Sequence, residues 1–198
     1  MRAHTRIRAW TAPLGALAER TPERGRLLEV GCGHGLLANA AALLHPELHV
    51  LGIDPAAAKI EAAEATIGTR TNVRFRRERL EDLVEHDFDA VAVVDVLYLV
   101  PRAEWPAFLG CCRDVLRPGG RLLLKDVDKE PRWKFYRCLA QETLSVKLLG
   151  ITLGNAFAFA SQDEMVALLK ALGFADVRAV DLGRGYWTPH VLYEAVRV

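Results

Sequence analysis

The sequence predicts an α/β fold: a mostly parallel sheet with helices packed on both faces. Three observations predict it. Short apolar runs alternate with helical stretches along almost the whole chain. Most of those runs are apolar throughout rather than alternating with polar residues, as strands covered on both faces require. The last two runs are joined by a loop without a helix, which pairs them antiparallel.

Leu27 to Gly31 reads as the first strand, and the Ala/Leu-rich stretch Leu36 to His45 as a helix stopped near Pro46. His49 to Asp54 is the second strand. Pro55 to Gly68 is a helix with proline in its first turn and glycine at its end. Val73 to Glu78 and Phe88 to Leu97 are strands three and four. Ala103 to Leu116 carries Trp105, Phe108, Leu109, Cys112, Val115 and Leu116 at helical spacing. Pro118-Gly119-Gly120 then reads as a turn before a fifth strand from Arg121 to Val127. Ser161 and Glu164 make a capping box for a helix closed by Gly173. Asp176 to Leu182 and His190 to Arg197 are the last two strands.

A chain of 198 residues suits one domain with a full core, here residues 1–198, with an N-terminal helical segment at 1–24. The apolar share of 51% and charged share of 26% are ordinary for a globular protein. A net charge of +1 supplies no global field for nucleic acid or an anionic membrane, so nucleic acid is not an expected partner. The longest apolar stretch, Val91 to Val100, is interrupted by Asp95 and too short to span a bilayer. Cys32, Cys111, Cys112 and Cys138 show neither a Cys-x-x-Cys pair nor zinc-ligand spacing, which fits a reducing, cytoplasmic setting. No metal site is expected.

The chemistry concentrates in Leu27-Leu-Glu-Val-Gly-Cys-Gly-His-Gly35, which joins a strand to a helix. Its glycines let a ligand approach the backbone, and the following helix N-terminus offers unpaired N–H groups to an anion. A dinucleotide fingerprint would need a third glycine where Leu36 stands, which weighs against a nicotinamide-dependent oxidoreductase. Asp54 ends the second strand about 20 residues past the glycines, where an acid reaches both hydroxyls of a ribose. The same side chain also suits a helix N-cap, and the two roles are compatible. Together these features specify an adenosine-type ligand without specifying the reaction.

In order, Leu-Glu-Val-Gly-Cys-Gly-His-Gly, Gly-Ile-Asp-Pro, Phe88-Asp-Ala-Val to Asp95-Val-Leu, and Leu116-Arg-Pro-Gly-Gly-Arg121 resemble the successive motifs of class I S-adenosylmethionine-dependent methyltransferases. The resemblance spans about residues 25 to 127. It implies a Rossmann-like, doubly wound sheet of seven strands in the order 3-2-1-4-5-7-6, with strand seven antiparallel. It implies S-adenosylmethionine as cofactor and S-adenosylhomocysteine as product. Glu29, Gly31, Cys32, Gly33 and Gly35 match the motif that cradles the methionine half of the cofactor. Asp54 matches the ribose acid, and Ile53 and Pro55 flank the adenine. Asp95 matches the position bordering the methionine amino group and the methyl. Where the family often has an acid near the adenine amino group, this chain has Glu78-Arg79-Leu80, so either Glu78 substitutes or the N–H of Leu80 holds the ring.

Methyl transfer needs an aligned nucleophile, exclusion of water and, for some acceptors, a base. Three residues are candidates for the acceptor side: Tyr98, Asp126 and His190. Tyr98 follows Asp95-Val-Leu and either faces the methyl or caps the sheet end. The Asp-Val-Leu-Tyr sequence lacks the Pro-Pro of enzymes that methylate base amines. Asp126 sits at the charged end of strand five, where it is a base, an amine contact or a rim ion pair with Lys125 or Lys129. His190 opens the last strand and titrates in the right range for a base, or simply bonds to the sheet edge. Residues 129–160 are basic and aromatic, and resemble the family's substrate lid. Such a lid suits an anionic, partly apolar acceptor, a small molecule or a lipid or acyl chain. The expected activity is methyl transfer to that acceptor by a monomer or homodimer. The competing expectation is a binding module that keeps the fold without catalysis.

Overall fold

The computed structural model describes residues 13–130, 133 and 158–198. The strands are β1 (Arg24–Val30), β2 (Glu47–Asp54), β3 (Val73–Arg77), β4 (Phe88–Val94), β5 (Leu116–Val127), β6 (Phe174–Asp181) and β7 (His190–Arg197). They form one sheet in the order β3-β2-β1-β4-β5-β7-β6. β1 to β5 pair in parallel, while β7 runs antiparallel to both β5 and β6. The family-implied order and the antiparallel last strand are both observed.

Five α-helices occur among the described residues: α1 (Leu14–Ala18), α2 (Leu36–Leu44), α3 (Ala57–Glu64), α4 (Trp105–Val115) and α5 (Gln162–Ala171). They divide between the faces. Leu17 of α1, Leu37 and Ala41 of α2 and Ile60 of α3 pack with Leu27, Val50, Ala92, Leu123 and Leu192 of the sheet. On the other face Trp105 and Leu109 of α4 and Met165 and Leu169 of α5 pack with Leu28, Val91, Leu122, Leu124 and Tyr193. Adjacent strand residues thus serve opposite cores, which is why the strands are apolar at successive positions. Leu27 and Leu28 are both fully buried, each worth about 1.5–3 kcal/mol of transfer free energy. Trp105 is also buried, and its indole N–H is satisfied by the Val100 carbonyl at 2.9 Å.

Several boundaries differ from the sequence reading, each for a local reason. β1 ends at Val30 because Gly31 already turns the chain. The fourth strand stops at Val94, not Leu97, because Asp95 takes a left-handed φ of 57° and a 3-10 turn follows at Leu97–Leu99. Pro55 precedes its helix rather than starting it: the Ala56 N–H bonds to the Asp54 carboxylate at 2.9 Å, and helical structure begins at Ala57. Pro118-Gly119-Gly120 is not a separate turn. It lies within β5, where pairing to β4 shifts register between Phe88 and Ala90. The sixth strand starts at Phe174, two residues early, because Asp176 (φ 51°) sits in a register shift against β7 rather than at the strand's start. Arg102–Glu104 is a 3-10 turn, and α4 proper begins at Trp105. The Ser161–Glu164 capping box forms in both directions, and β7 has the expected ends. The expected N-terminal helix is described only from residue 13. Most of the expected lid, residues 131, 132 and 134–157, lies outside the described residues, as does Cys138. Among the described residues no helix is long and apolar enough to cross a membrane.

Candidate active site

The C-terminal ends of β1, β2, β4 and β5 and the start of β7 lie along one edge of the sheet, the ligand edge of an open α/β fold. At β1 the chain leaves the sheet through Gly31, with φ of 69°, a conformation that disfavours side chains. A Cβ at Gly31 would also lie 2.5 Å from Val96. Gly33 is different. Its φ is 55°, but no atom lies within 4 Å of the place a Cβ would take, so the loop leaves open space above it. Gly35 precedes α2 as its N-cap residue.

Two carboxylates hold this loop. Glu29 is buried in β1, and its Oε2 accepts from the Ala38 N–H in the first turn of α2 at 2.9 Å. It thereby locks the start of the helix against the strand. Asp54, 3% exposed at the end of β2, reaches across to the loop itself. Its Oδ2 accepts from the Gly33 N–H at 3.1 Å, and its Oδ1 from Ala56 at 2.9 Å. The half-exposed Lys59 donates to Oδ2 at 3.4 Å, the longest of the three contacts. Between the two acids, the Cys32 N–H bonds to the Ile53 carbonyl at 2.9 Å, which fastens the loop to β2. The Cys32 side chain belongs to the interior. It is buried in the α1–α3 core, and burial, with the charges of Glu29 and Asp54, pushes its thiol well above the ordinary range.

Beside the glycine loop, Asp95 turns away from β4. Its carboxylate receives the Lys125 ammonium at 2.5 Å, and its N–H donates to the Lys125 carbonyl at 3.1 Å. The rim ion pair anticipated between Asp126 and Lys125 is therefore not the one formed. Lys125 is fully buried, and it faces Asp95 on the neighbouring strand. Asp126 is buried too. Loss of water pushes its carboxyl up to about 7; the Val127 N–H, bonded at 2.7 Å, opposes this, the Asp95 charge adds to it and Lys125 opposes it. Asp128 accepts from the Gln162 amide at 2.5 Å, tying the sheet edge to the start of α5.

Pairing in the sheet separates the two candidate bases. His190 lies opposite Val127, and Asp126 opposite Val191. Paired residues share a face and neighbours along a strand do not. Asp126 therefore belongs to the face of Val191 and Tyr193, packed under α4 and α5, whereas His190 belongs with Lys125 and Leu192 on the face of α1–α3. His190 is buried with its ring edge-on to Tyr186 at 5.5 Å. Tyr98 is buried and stacked on Phe159 at 5.7 Å and 16°.

Among the residues expected to border adenine, Pro55 is exposed and its carbonyl accepts from Arg77 at 3.3 Å. Arg79 pairs with Glu81 at 2.6 Å, and Glu78 pairs with Arg76 at 2.6 Å. Leu80 is buried in a 3-10 turn. Sequence reasoning gave Lys125 only as a rim ion-pair partner. Its signal was a lone cation inside the apolar strand Leu122-Leu-Leu-Lys-Asp-Val127.

Comparison with known proteins finds methyltransferases in sequence and in fold. A family described as a methyltransferase domain matches residues 27–120. The chain is 32% identical over 117 residues to a ubiquinone biosynthesis O-methyltransferase of Xanthomonas axonopodis pv. citri (strain 306), covering 58% of this chain and 48% of that protein. It spans about half the length of the curated relatives it matches. In fold it is similar to the S-adenosylmethionine-dependent methyltransferase SibL, with a TM-score of 0.77 at 24% identity over 96% of this chain and 56% of that one. It is also similar to an S-adenosylmethionine-dependent methyltransferase from Methanosarcina mazei, with a TM-score of 0.70 at 23% identity over 94% and 98% of the two chains.

Proposed function

We propose, on the premise that this chain belongs to the class I S-adenosylmethionine-dependent methyltransferase family, that it binds S-adenosylmethionine across the glycine loop and moves the methyl group to a hydroxyl oxygen of a small, partly apolar acceptor. The observation that carries this reading is the bond between the Asp54 carboxylate and the Gly33 N–H. It brings the candidate ribose acid and the candidate cofactor cradle together as one unit.

The residues fit the cofactor. Gly33 borders open space where a side chain would otherwise stand, and the N-terminus of α2 favours a carboxylate there. Asp54 accepts from two backbone N–H donors, and a carboxylate has about four lone-pair sites in all. A ribose hydroxyl would replace Lys59, the long and partly exposed contact. Asp95 would accept from the ammonium of the methionine half. When bound, S-adenosylmethionine supplies a sulfonium-activated methyl.

The chain's own tasks are then to align the acceptor and take its proton. Asp126, with a carboxyl tuned to about 7 by burial, is a base matched to neutral pH. The acceptor oxygen forms its bond to the methyl carbon as the carbon–sulfur bond breaks, and the hydroxyl proton passes to Asp126. Tyr98 and Phe159 offer a stacked aromatic wall for an apolar acceptor body. The name of the Xanthomonas relative, an O-methyltransferase, supports oxygen as the acceptor atom.

The test is incubation with S-adenosylmethionine bearing a deuterated methyl, together with a panel of small hydroxyl compounds and a cell extract. Mass spectrometry should find a labelled product and an equal amount of S-adenosylhomocysteine. Tight binding of cofactor with no label in any product would support a non-catalytic binding module and overturn the proposal.

A further inference from the structure

We propose that Lys125 is a positioning residue of this site: from the interior of β5 it fixes the Asp95 carboxylate in the orientation that receives the ammonium group of the cofactor. The inference rests on the functional reading above, and it concerns a residue that acts only through another.

Lys125 grips Asp95 at two points. Its carbonyl accepts from the Asp95 N–H at 3.1 Å and its ammonium donates to the Asp95 Oδ1 at 2.5 Å. The register explains how: Lys125 pairs with Val94, so the side chain lies alongside the first residue past the end of β4. At that residue the backbone takes φ 57°, which costs an L-residue about 1–2 kcal/mol. The two contacts hold Asp95 in this conformation.

Stability alone does not account for the lysine. It is fully buried, and it follows Leu122, Leu123 and Leu124, all equally buried. A buried ion pair seldom outperforms packed apolar side chains, because both charges lose their water. A leucine would serve the strand better. The lysine does serve the carboxylate: a buried acid without a cation takes up a proton and loses its attraction for an ammonium ion. Lys125 occupies one lone-pair site on Oδ1, and a carboxylate has about four.

The test is a double-mutant cycle read by calorimetric titration with S-adenosylhomocysteine, alongside the melting temperature of each protein. K125M should weaken binding by roughly tenfold or more, the scale of one charge-assisted hydrogen bond. In a D95N background the same change should alter affinity by less than about twofold, because Lys125 has no carboxylate left to orient. The double variant should recover melting temperature relative to K125M, since the carboxyl group left without its cation is gone, yet should not recover affinity. A purely structural ion pair would restore both together, and that outcome overturns the proposal. K125M that binds as wild type does, or that loses affinity equally in both backgrounds, also overturns it. If K125M alone does not fold, D95N against the double variant decides: equal affinities support the proposal and a further loss contradicts it. Failure of the wild-type protein to bind at all would instead refute the functional reading.

Discussion

The carboxylate of Asp54 accepts a hydrogen bond from the backbone N–H of Gly33 at 3.1 Å, joining the end of β2 to the loop after β1. Through this bond the acid shapes the loop, beside its proposed role in holding the cofactor ribose. Asp54→Ala should therefore do two things. It should lower stability by about 1–3 kcal/mol, because the Gly33 and Ala56 N–H groups lose a buried acceptor. It should also abolish measurable binding of S-adenosylhomocysteine. Chemical denaturation and calorimetric titration on the same preparation check both. Loss of stability with intact affinity would reduce Asp54 to a brace between the glycine loop and the segment before α3.

Gly33→Ala separates cradle from fold more cleanly. No protein atom opposes the added methyl, so the expected penalty is only that of the left-handed backbone, about 1–2 kcal/mol. The melting temperature should fall by a few degrees. Affinity for S-adenosylhomocysteine should fall at least about tenfold, because the methyl enters the space the ligand needs.

Asp126 carries a pH signature. Its carboxyl is pushed up to about 7, chiefly by burial, and a base must be ionised to work. Turnover should rise about tenfold per pH unit below 7 and level off above it. Asp126→Asn should reduce turnover by about two to four orders of magnitude while sparing cofactor affinity. The stability effect runs the other way. The folded state holds this proton more tightly than the unfolded chain does, so wild-type stability falls as pH rises from the ordinary carboxylate range to about 7. Asparagine does not ionise, so the variant's melting temperature should gain on wild type through that window and lead most above pH 7. If His190→Gln stops turnover and Asp126→Asn does not, the base sits on the opposite face of the sheet.

Glu29 locks the start of α2 against β1. Glu29→Ala leaves the buried Ala38 N–H without its 2.9 Å acceptor and should cost about 1–3 kcal/mol in denaturant unfolding. Cofactor affinity should weaken in step, because α2 is no longer held at the end of the cradle.

Much of the fold was legible in the sequence because its information is local. Seven apolar runs marked the strands, and β7, bounded by Pro189 and the end of its apolar pattern, was read with its exact ends. The glycines and Asp54 could be found because turn chemistry and an acid at a strand's end leave a residue signature. What was missed depends on partners far along the chain. Asp176 sits in a bulge created by β7, and the Pro118-Gly119-Gly120 stretch is absorbed into a bulge created by β4. Lys125 read as a rim charge because its true partner, Asp95, comes beside it only through the β4–β5 register. The opposite faces of Asp126 and His190 follow from alternation, but only once His190 is known to lie across from Val127.

The most direct test is a calorimetric titration of the folded, ligand-free protein with S-adenosylhomocysteine, run beside Gly33→Ala and Asp54→Ala. One saturable site per chain in the wild type, lost or sharply weakened in both variants, is the predicted result. A folded wild-type protein that gives no heat, or variants that bind as well as it does, would contradict the assignment of this loop and this carboxylate to the cofactor.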